Sequence, residues 1–358
     1  MMDAHTIEQY LNQSLNMALA INGESTYTNS FYVVVQADGF LFVPRTPAGY
    51  LIDDELYQKI FIIANASLYP RYTLLKQTTA YFLPLDTEDI HTQRALFFPW
   101  FKGISERLVI PNLHSYVHQT KGTQIPIMKH LTMDYKKVTS IVIAGNSGSG
   151  KSYFLTYLLE QLFTRSQLII IDPKFDSPSR WARAHQLTVI HPTKNRSRSD
   201  FVSQVNDALS QVLTTIYERQ EQLYDQPIKV FEPVTVVIDE VLALSEGVNK
   251  SIKEAFLSLL SGIALLGRAT NCHLILVSQR FDYNAVPVSV REQANVFVQI
   301  GNINSKTTQF LFPDLNPAGI VIPIGKGTGL IQLIDDEHPY QVLPLLTPTF
   351  YTEKGILS

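Results

Sequence analysis

The sequence predicts an α/β chain, a parallel sheet flanked by helices and preceded by a smaller α+β domain. Three observations carry this. From about Ile141 onward, short β-branched apolar runs alternate with longer helical patterns. A glycine- and serine-rich turn ending in lysine stands between the first such run and the first such helix. The first ~125 residues follow a different, aromatic-rich pattern without that alternation.

In order, residues 6–20 repeat apolar side chains at helical spacing, 31–35 and 40–43 read as aromatic-rich strands, 54–66 as a helix and 72–83 as strands. Pro, Asn, Gly, Gln and Thr collect between Pro111 and Pro126 without apolar periodicity, which sets a boundary of 1–125 and 126–358. Beyond it, strands are expected at 140–144, 168–171, 234–238, 274–277 and 296–300, and helices at 152–163, 201–224 and 252–266. Ser199 or Asp200 is placed to cap the second of these helices.

Composition limits the function classes. With 45% hydrophobic and 17% charged residues over 358 positions, the chain can bury a large core and is not a disordered segment. A net charge of −3 excludes a uniformly basic nucleic-acid binder, though not a local basic channel. The single cysteine, Cys272, allows no intrachain disulfide and points to a reducing cytoplasm. No apolar run approaches the roughly 18 residues of a membrane span, and the first residues, with Asp3 and His5, lack a signal-peptide pattern.

The segment Gly145, Asn146, Ser147, Gly148, Ser149, Gly150, Lys151, Ser152 has the spacing of a phosphate-binding loop between strand and helix. Its glycines let backbone N–H groups approach phosphate oxygens, Lys151 supplies charge to the β- and γ-phosphates of ATP, and Ser152 is a candidate Mg²⁺ ligand. The apolar strand 234–238 delivers Asp239 and Glu240. Asp239 suits the Mg²⁺ water shell, and Glu240 suits polarisation of an attacking water. Strand 274–277 delivers Gln279 at the end that faces the crevice of a parallel sheet, where it can sense the γ-phosphate.

These segments, with Ile170 to Lys174 and above all the string from Gly267 to Arg280, resemble the motor domain of FtsK/SpoIIIE-type DNA translocases over roughly residues 126–335. The resemblance implies a RecA-like phosphate-loop NTPase core and an ATPase whose turnover drives double-stranded DNA through a homo-hexameric ring. It also implies that Arg268 and Lys306 reach across a subunit interface. Chromosome translocases of this kind carry membrane spans before the motor and a sequence-reading module after it. Only about 20 residues follow Asp335 here, so neither is expected, and a plasmid or mobile element with a relaxase or replication protein as partner fits better. The alternative is an ATP-dependent remodelling switch on nucleic acid without processive motion. Lys194, Arg196 and Arg198 form the densest basic loop, either touching DNA phosphates or simply solvated. Phe97, Phe98, Trp100 and Phe101 could stack on bases but suit core packing better.

Overall fold

The computed structural model describes residues 3–19, 30–48, 51–78, 80–120, 122–281, 286–335 and 341–351. Met1, Ala20 and Thr79, which enter the expectations above, lie outside the described residues. The chain divides into two compact units: 1–105 with 312–322 and 340–344, and 106–311 with 323–339 and 345–358.

In the first unit, α1 (Ala4–Leu19) precedes the hairpin β1 (Phe31–Val35) and β2 (Gly39–Pro44), followed by α2 (Asp54–Leu68). Asp53 caps α2 by accepting from the Leu56 amide, and Asp54 and Glu55 favour the positive end of the helix dipole. The region expected as strands at 72–83 resolves into β3 (Tyr72–Leu74), β4 (Lys76–Gln77) and β5 (Phe82–Pro84) before the long β6 (Arg94–Lys102). The antiparallel order is β1-β2-β6-β3, with β5 also on β6. Phe98 lies between Phe40 and Tyr57, with ring centroids at 4.8 and 4.5 Å, and Phe98 and Trp100 are buried. Packing therefore accounts for these two aromatic residues, as the pattern favoured.

The second unit opens with β7 (Val109–Ile110), α3 (Leu113–Gln119) and the hairpin β8 (Gln124–Met128) and β9 (Leu131–Asp134). Its main elements then run β10 (Ser140–Gly145), α4 (Lys151–Phe163), β11 (Gln167–Ile171), α5 (Ser177–Ala184), β12 (Val189–Ile190), α6 (Arg198–Asp225), β13 (Val234–Asp239), α7 (Lys250–Leu266), β14 (Cys272–Ser278), α8 (Val288–Gln293), β15 (Val296–Ile300), α9 (Ser305–Thr308) and β16 (Thr328–Leu333). Strand β17 (Gln341–Leu346) begins in the first unit, where Gln341 and Val342 pair with β4, and β18 (Thr349–Phe350) of the second unit pairs with β7.

Strands β12-β11-β13-β14-β10-β15 lie parallel in that order, and β16 closes the β15 edge antiparallel. This is the RecA-like P-loop core. Every residue of β13 and β14 is buried, which explains their unbroken apolar runs. Residues 106–125 pack with this unit rather than with the N-terminal one. Arg165, at the end of α4, donates to the carbonyls of Thr120 and Gly122 at 2.7 and 2.9 Å, and Tyr157 Oη donates to Pro126 O. The α6 cap is Ser197, not Ser199 or Asp200. Asp200 instead reaches back to the Ser197 amide and completes a reciprocal capping box.

Candidate functional site

In a parallel sheet all C-terminal strand ends share one edge, and the register aligns them here. Ala144 pairs with Ser278, Asp239 with Val277, and Ile238 with Ile171. The turn after β10, the carboxylates after β13, the polar end of β14 and the loop after β11 therefore converge.

The turn 145–150 is shaped by its glycines. A Cβ on Gly145 would stand 2.3 Å from the Ile300 carbonyl oxygen, so only glycine lets β10 and β15 close behind the loop. Gly150 adopts φ +110 and precedes the first residue of α4, a left-handed conformation that favours glycine. Lys151 then begins the helix, and its ammonium donates to the carbonyls of Gly145 and Asn146, the latter at 3.0 Å. Burial lowers the Lys151 pKa, although Glu240 and Asp239 pull it the other way. The Ser149 hydroxyl is buried without a hydrogen-bond partner. A loop with an orphaned hydroxyl, and a partly desolvated ammonium that donates to the loop carbonyls of Gly145 and Asn146, has the donor set an anionic phosphate would satisfy. Ser152 follows Lys151 and is half-buried.

Asp239 and Glu240 are both buried, yet their surroundings treat them oppositely. Burial, then the like charge of Asp172, pushes the Asp239 carboxyl up to about 6 against the pull of Lys174. Burial would also raise Glu240, but Lys174 Nζ at 2.5 Å, the Gln279 amide at 3.2 Å and the Ser278 hydroxyl at 3.1 Å hold it below its usual range. Glu240 sits at φ 62, ψ 65, a left-handed conformation uncommon for a non-glycine residue, at the start of the short turn Val241–Leu244.

Sequence reading gave no role to two residues that complete this cluster. Asp172, at the end of β11, is fully buried and accepts from the amides of Lys174 (3.0 Å) and Asp176 (2.8 Å) and from Ser179 Oγ (2.6 Å). It thereby fixes the loop that presents Lys174 to Glu240. The available signal was a lysine just past a strand end on the edge that carries the carboxylates.

The remaining expected residues are placed differently. The Gln279 side chain is exposed at the end of β14, on the converging edge. Lys306 is exposed on α9, five residues beyond Gly301, the glycine packed against Ser149 after β15, and so lies toward the same edge. The four-residue count from Gly301 to Ser305 is closed by an Asn304 capping box that shapes the turn. Arg268 is not brought to this cluster. It lies in the turn Arg268–Thr270 before β14, at the opposite end of a seven-residue strand, about 20 Å away. There it is exposed and lines an open cleft with Lys136, Lys137, Asp134 and Gln220. In the basic loop, Arg198 donates to the Glu246 carbonyl at 2.9 Å and Arg196 approaches Gln204, while Lys194 is exposed.

A family model described as an AAA domain matches residues 135–283. The FtsK domain-containing protein YdcQ of Bacillus subtilis is 25% identical over 204 residues, covering 54% of this chain and 41% of that protein. The DNA translocase FtsK of Lactococcus lactis subsp. cremoris is 24% identical over 248 residues, covering 62% of this chain and 32% of the relative. That of Helicobacter pylori strain J99 is 31% identical over 160 residues, covering 41% and 18%. The chain thus spans about two fifths or less of the length of these curated relatives. Among solved structures, the pCW3 conjugation coupling protein TcpA aligns over 94% of both chains with a TM-score of 0.55 at 16% identity, a likeness of fold. The convergent edge and its order of motifs make the second unit a P-loop ATPase core, and its sequence is similar to that of FtsK-type DNA translocases.

Proposed function

We propose that the chain couples ATP hydrolysis to movement of double-stranded DNA, in a plasmid- or mobile-element process of transfer, replication or segregation. One observation carries the catalytic half of this reading: Lys151, Asp239 and Glu240 meet at one sheet edge, with Lys174 on the glutamate. The DNA half is supported by curated relatives that are DNA translocases.

In this reading Lys151 and the amides of 145–150 hold the nucleotide phosphates, and Gln279 senses the terminal one. Ser152 and Asp239 would hold Mg²⁺, which when bound neutralises charge between the β- and γ-phosphates. Glu240 accepts a proton from the attacking water, and so needs to be ionised and to have an oxygen free for that water. Against burial, the Lys174 ammonium and the hydrogen bonds from Ser278 and Gln279 keep it ionised.

Arg268 lies at the other end of β14 from this edge. We assign Arg268 to a neighbouring copy's site in a ring, taken as a homo-hexamer, with Lys306 as a second interface residue. The N-terminal unit recruits a partner such as a relaxase or replication protein. Among the described residues no helix is long and apolar enough to cross a membrane.

The test is ATP turnover with linear duplex, nicked duplex and single-stranded DNA at fixed salt. Stimulation by duplex above single strand supports a duplex motor. Turnover indifferent to all three contradicts it.

A further inference from the structure

Asn112 caps α3 by accepting from the Ser115 amide at 2.9 Å, and the helix buries Leu113 and Val117. Those two positions set its rotation, so His114 and His118, each one residue further on, share an exposed face one turn apart. Their Nε2 atoms stand 3.1 Å from each other. Behind them lies Glu160 of α4, whose side chain is only 10% exposed. Its Oε2 accepts from Trp181 Nε1 at 2.8 Å and faces His185 Nε2 at 3.2 Å, which leaves Oε1 to face His114 Nδ1 at 3.5 Å. A carboxylate oxygen only accepts, so neutral His114 carries its proton on Nδ1 and turns the Nε2 lone pair outward to His118.

We propose that His114 and His118 bind one divalent transition-metal ion of the Zn²⁺ or Ni²⁺ kind through their Nε2 atoms, with Glu160 orienting His114 from behind. Metal–imidazole bonds of about 2.0 to 2.1 Å hold two ligating nitrogens about 3.3 Å apart at a tetrahedral angle and about 2.9 Å apart at a square-planar corner. The observed separation lies between these. Without metal, His118 donates its Nε2 proton to His114; with metal, that proton moves to Nδ1 of His118 and both Nε2 lone pairs face the ion, so no net proton is released. Among the described residues no group of three or more His, Cys, Asp or Glu could hold a metal, so the remaining positions go to water or to a group on another molecule. Two imidazoles suit a borderline ion and not Mg²⁺, which prefers oxygen. Through Glu160 the ion ties α3 to α4, the helix that begins at Lys151.

Calorimetric titration of the full chain with Zn²⁺, in excess Mg²⁺, is expected to show one more equivalent bound by wild type than by His118→Ala. His118 is exposed, so the melting temperature of this variant without Zn²⁺ is expected to match wild type. Added Zn²⁺ raises the melting temperature of wild type above that of either His114→Ala or His118→Ala. With Co²⁺ as the probe, visible absorption bands of imidazole ligation appear in wild type and are lost in both variants. Glu160→Gln lowers Zn²⁺ affinity about tenfold or more; unchanged affinity there overturns the orienting role of Glu160. Should the buried substitution fail to fold, the two exposed histidine variants decide the site by themselves. Equal Zn²⁺ binding by wild type, His114→Ala and His118→Ala overturns the proposal and leaves the two rings joined by a hydrogen bond alone.

Discussion

In the proposed mechanism Lys151 and Glu240 act at different stages and should separate by substitution. Lys151→Ala removes the ammonium at the mouth of the phosphate loop and is expected to abolish nucleotide binding, whereas Glu240→Gln keeps binding and stalls turnover. Equilibrium binding and steady-state turnover on the two variants check this, and a Glu240→Gln rate equal to wild type contradicts the assignment. Asp239 carries a stability cost as well. Its carboxyl is raised to about 6 by burial and by Asp172, from an unfolded value of about 4. A carboxyl raised in the fold adds stability below the unfolded value and loses it as pH climbs through the folded one. Asp239→Asn without nucleotide is therefore expected to be more stable than wild type at about pH 7.5 by about 1 to 3 kcal/mol, with the gap narrowing toward about pH 4. Thermal melting at the two pH values reads this, and a gap independent of pH contradicts it. The phosphate-loop residues and the Asp239-Glu240 pair were legible because spacing and strand context announce them. Lys174 was not, because its partner lies 66 residues away and only the pairing of β11 with β13 joins them.

At the scale of elements, the site depends on β10 and β15 closing tightly behind the phosphate loop. Gly145→Ala places a methyl group against the Ile300 carbonyl and beside Ser149 Oγ, so backbone must shift. A loss of about 1 to 3 kcal/mol in denaturant unfolding and a markedly weaker nucleotide affinity are expected; wild-type affinity would contradict the packing argument. The core strands and the longest helices were readable from apolar runs and helical periodicity. The exceptions have local causes. The cap of α6 falls at Ser197 because Asp200 is used reciprocally at the third helical position. Short elements such as α5 and β12 carry too few residues for a period to show. The stretch between Pro111 and Pro126 reads as a boundary, yet its Thr120 and Gly122 carbonyls accept from Arg165 of the core, a pairing that no local pattern reveals.

For the whole molecule, Arg268 lies about 20 Å along β14 from the edge that carries Lys151 and Glu240, and the proposed reading has it serve a neighbouring copy's site. Arginine fingers supplied in trans are worth about 10³ to 10⁵ in rate, so Arg268→Ala and Lys151→Ala should each be inactive alone. Mixed on duplex DNA, they are expected to recover partial turnover at junctions that pair an intact loop with an intact finger. Mixed rings without recovery, or activity in Arg268→Ala alone, would show that Arg268 serves no neighbour. With net charge near zero, the proposed DNA contacts are to phosphates, so binding should weaken steeply as salt rises, with little preference for base sequence. A strong preference for one duplex sequence in competition at moderate salt would contradict that. The central claim, that ATP turnover moves duplex DNA, is tested most directly by displacement of a triplex-forming strand from a linear duplex. Displacement that requires ATP and is lost in Glu240→Gln is the predicted result; DNA-stimulated turnover that never displaces the strand would contradict it and leave a nucleotide switch in its place.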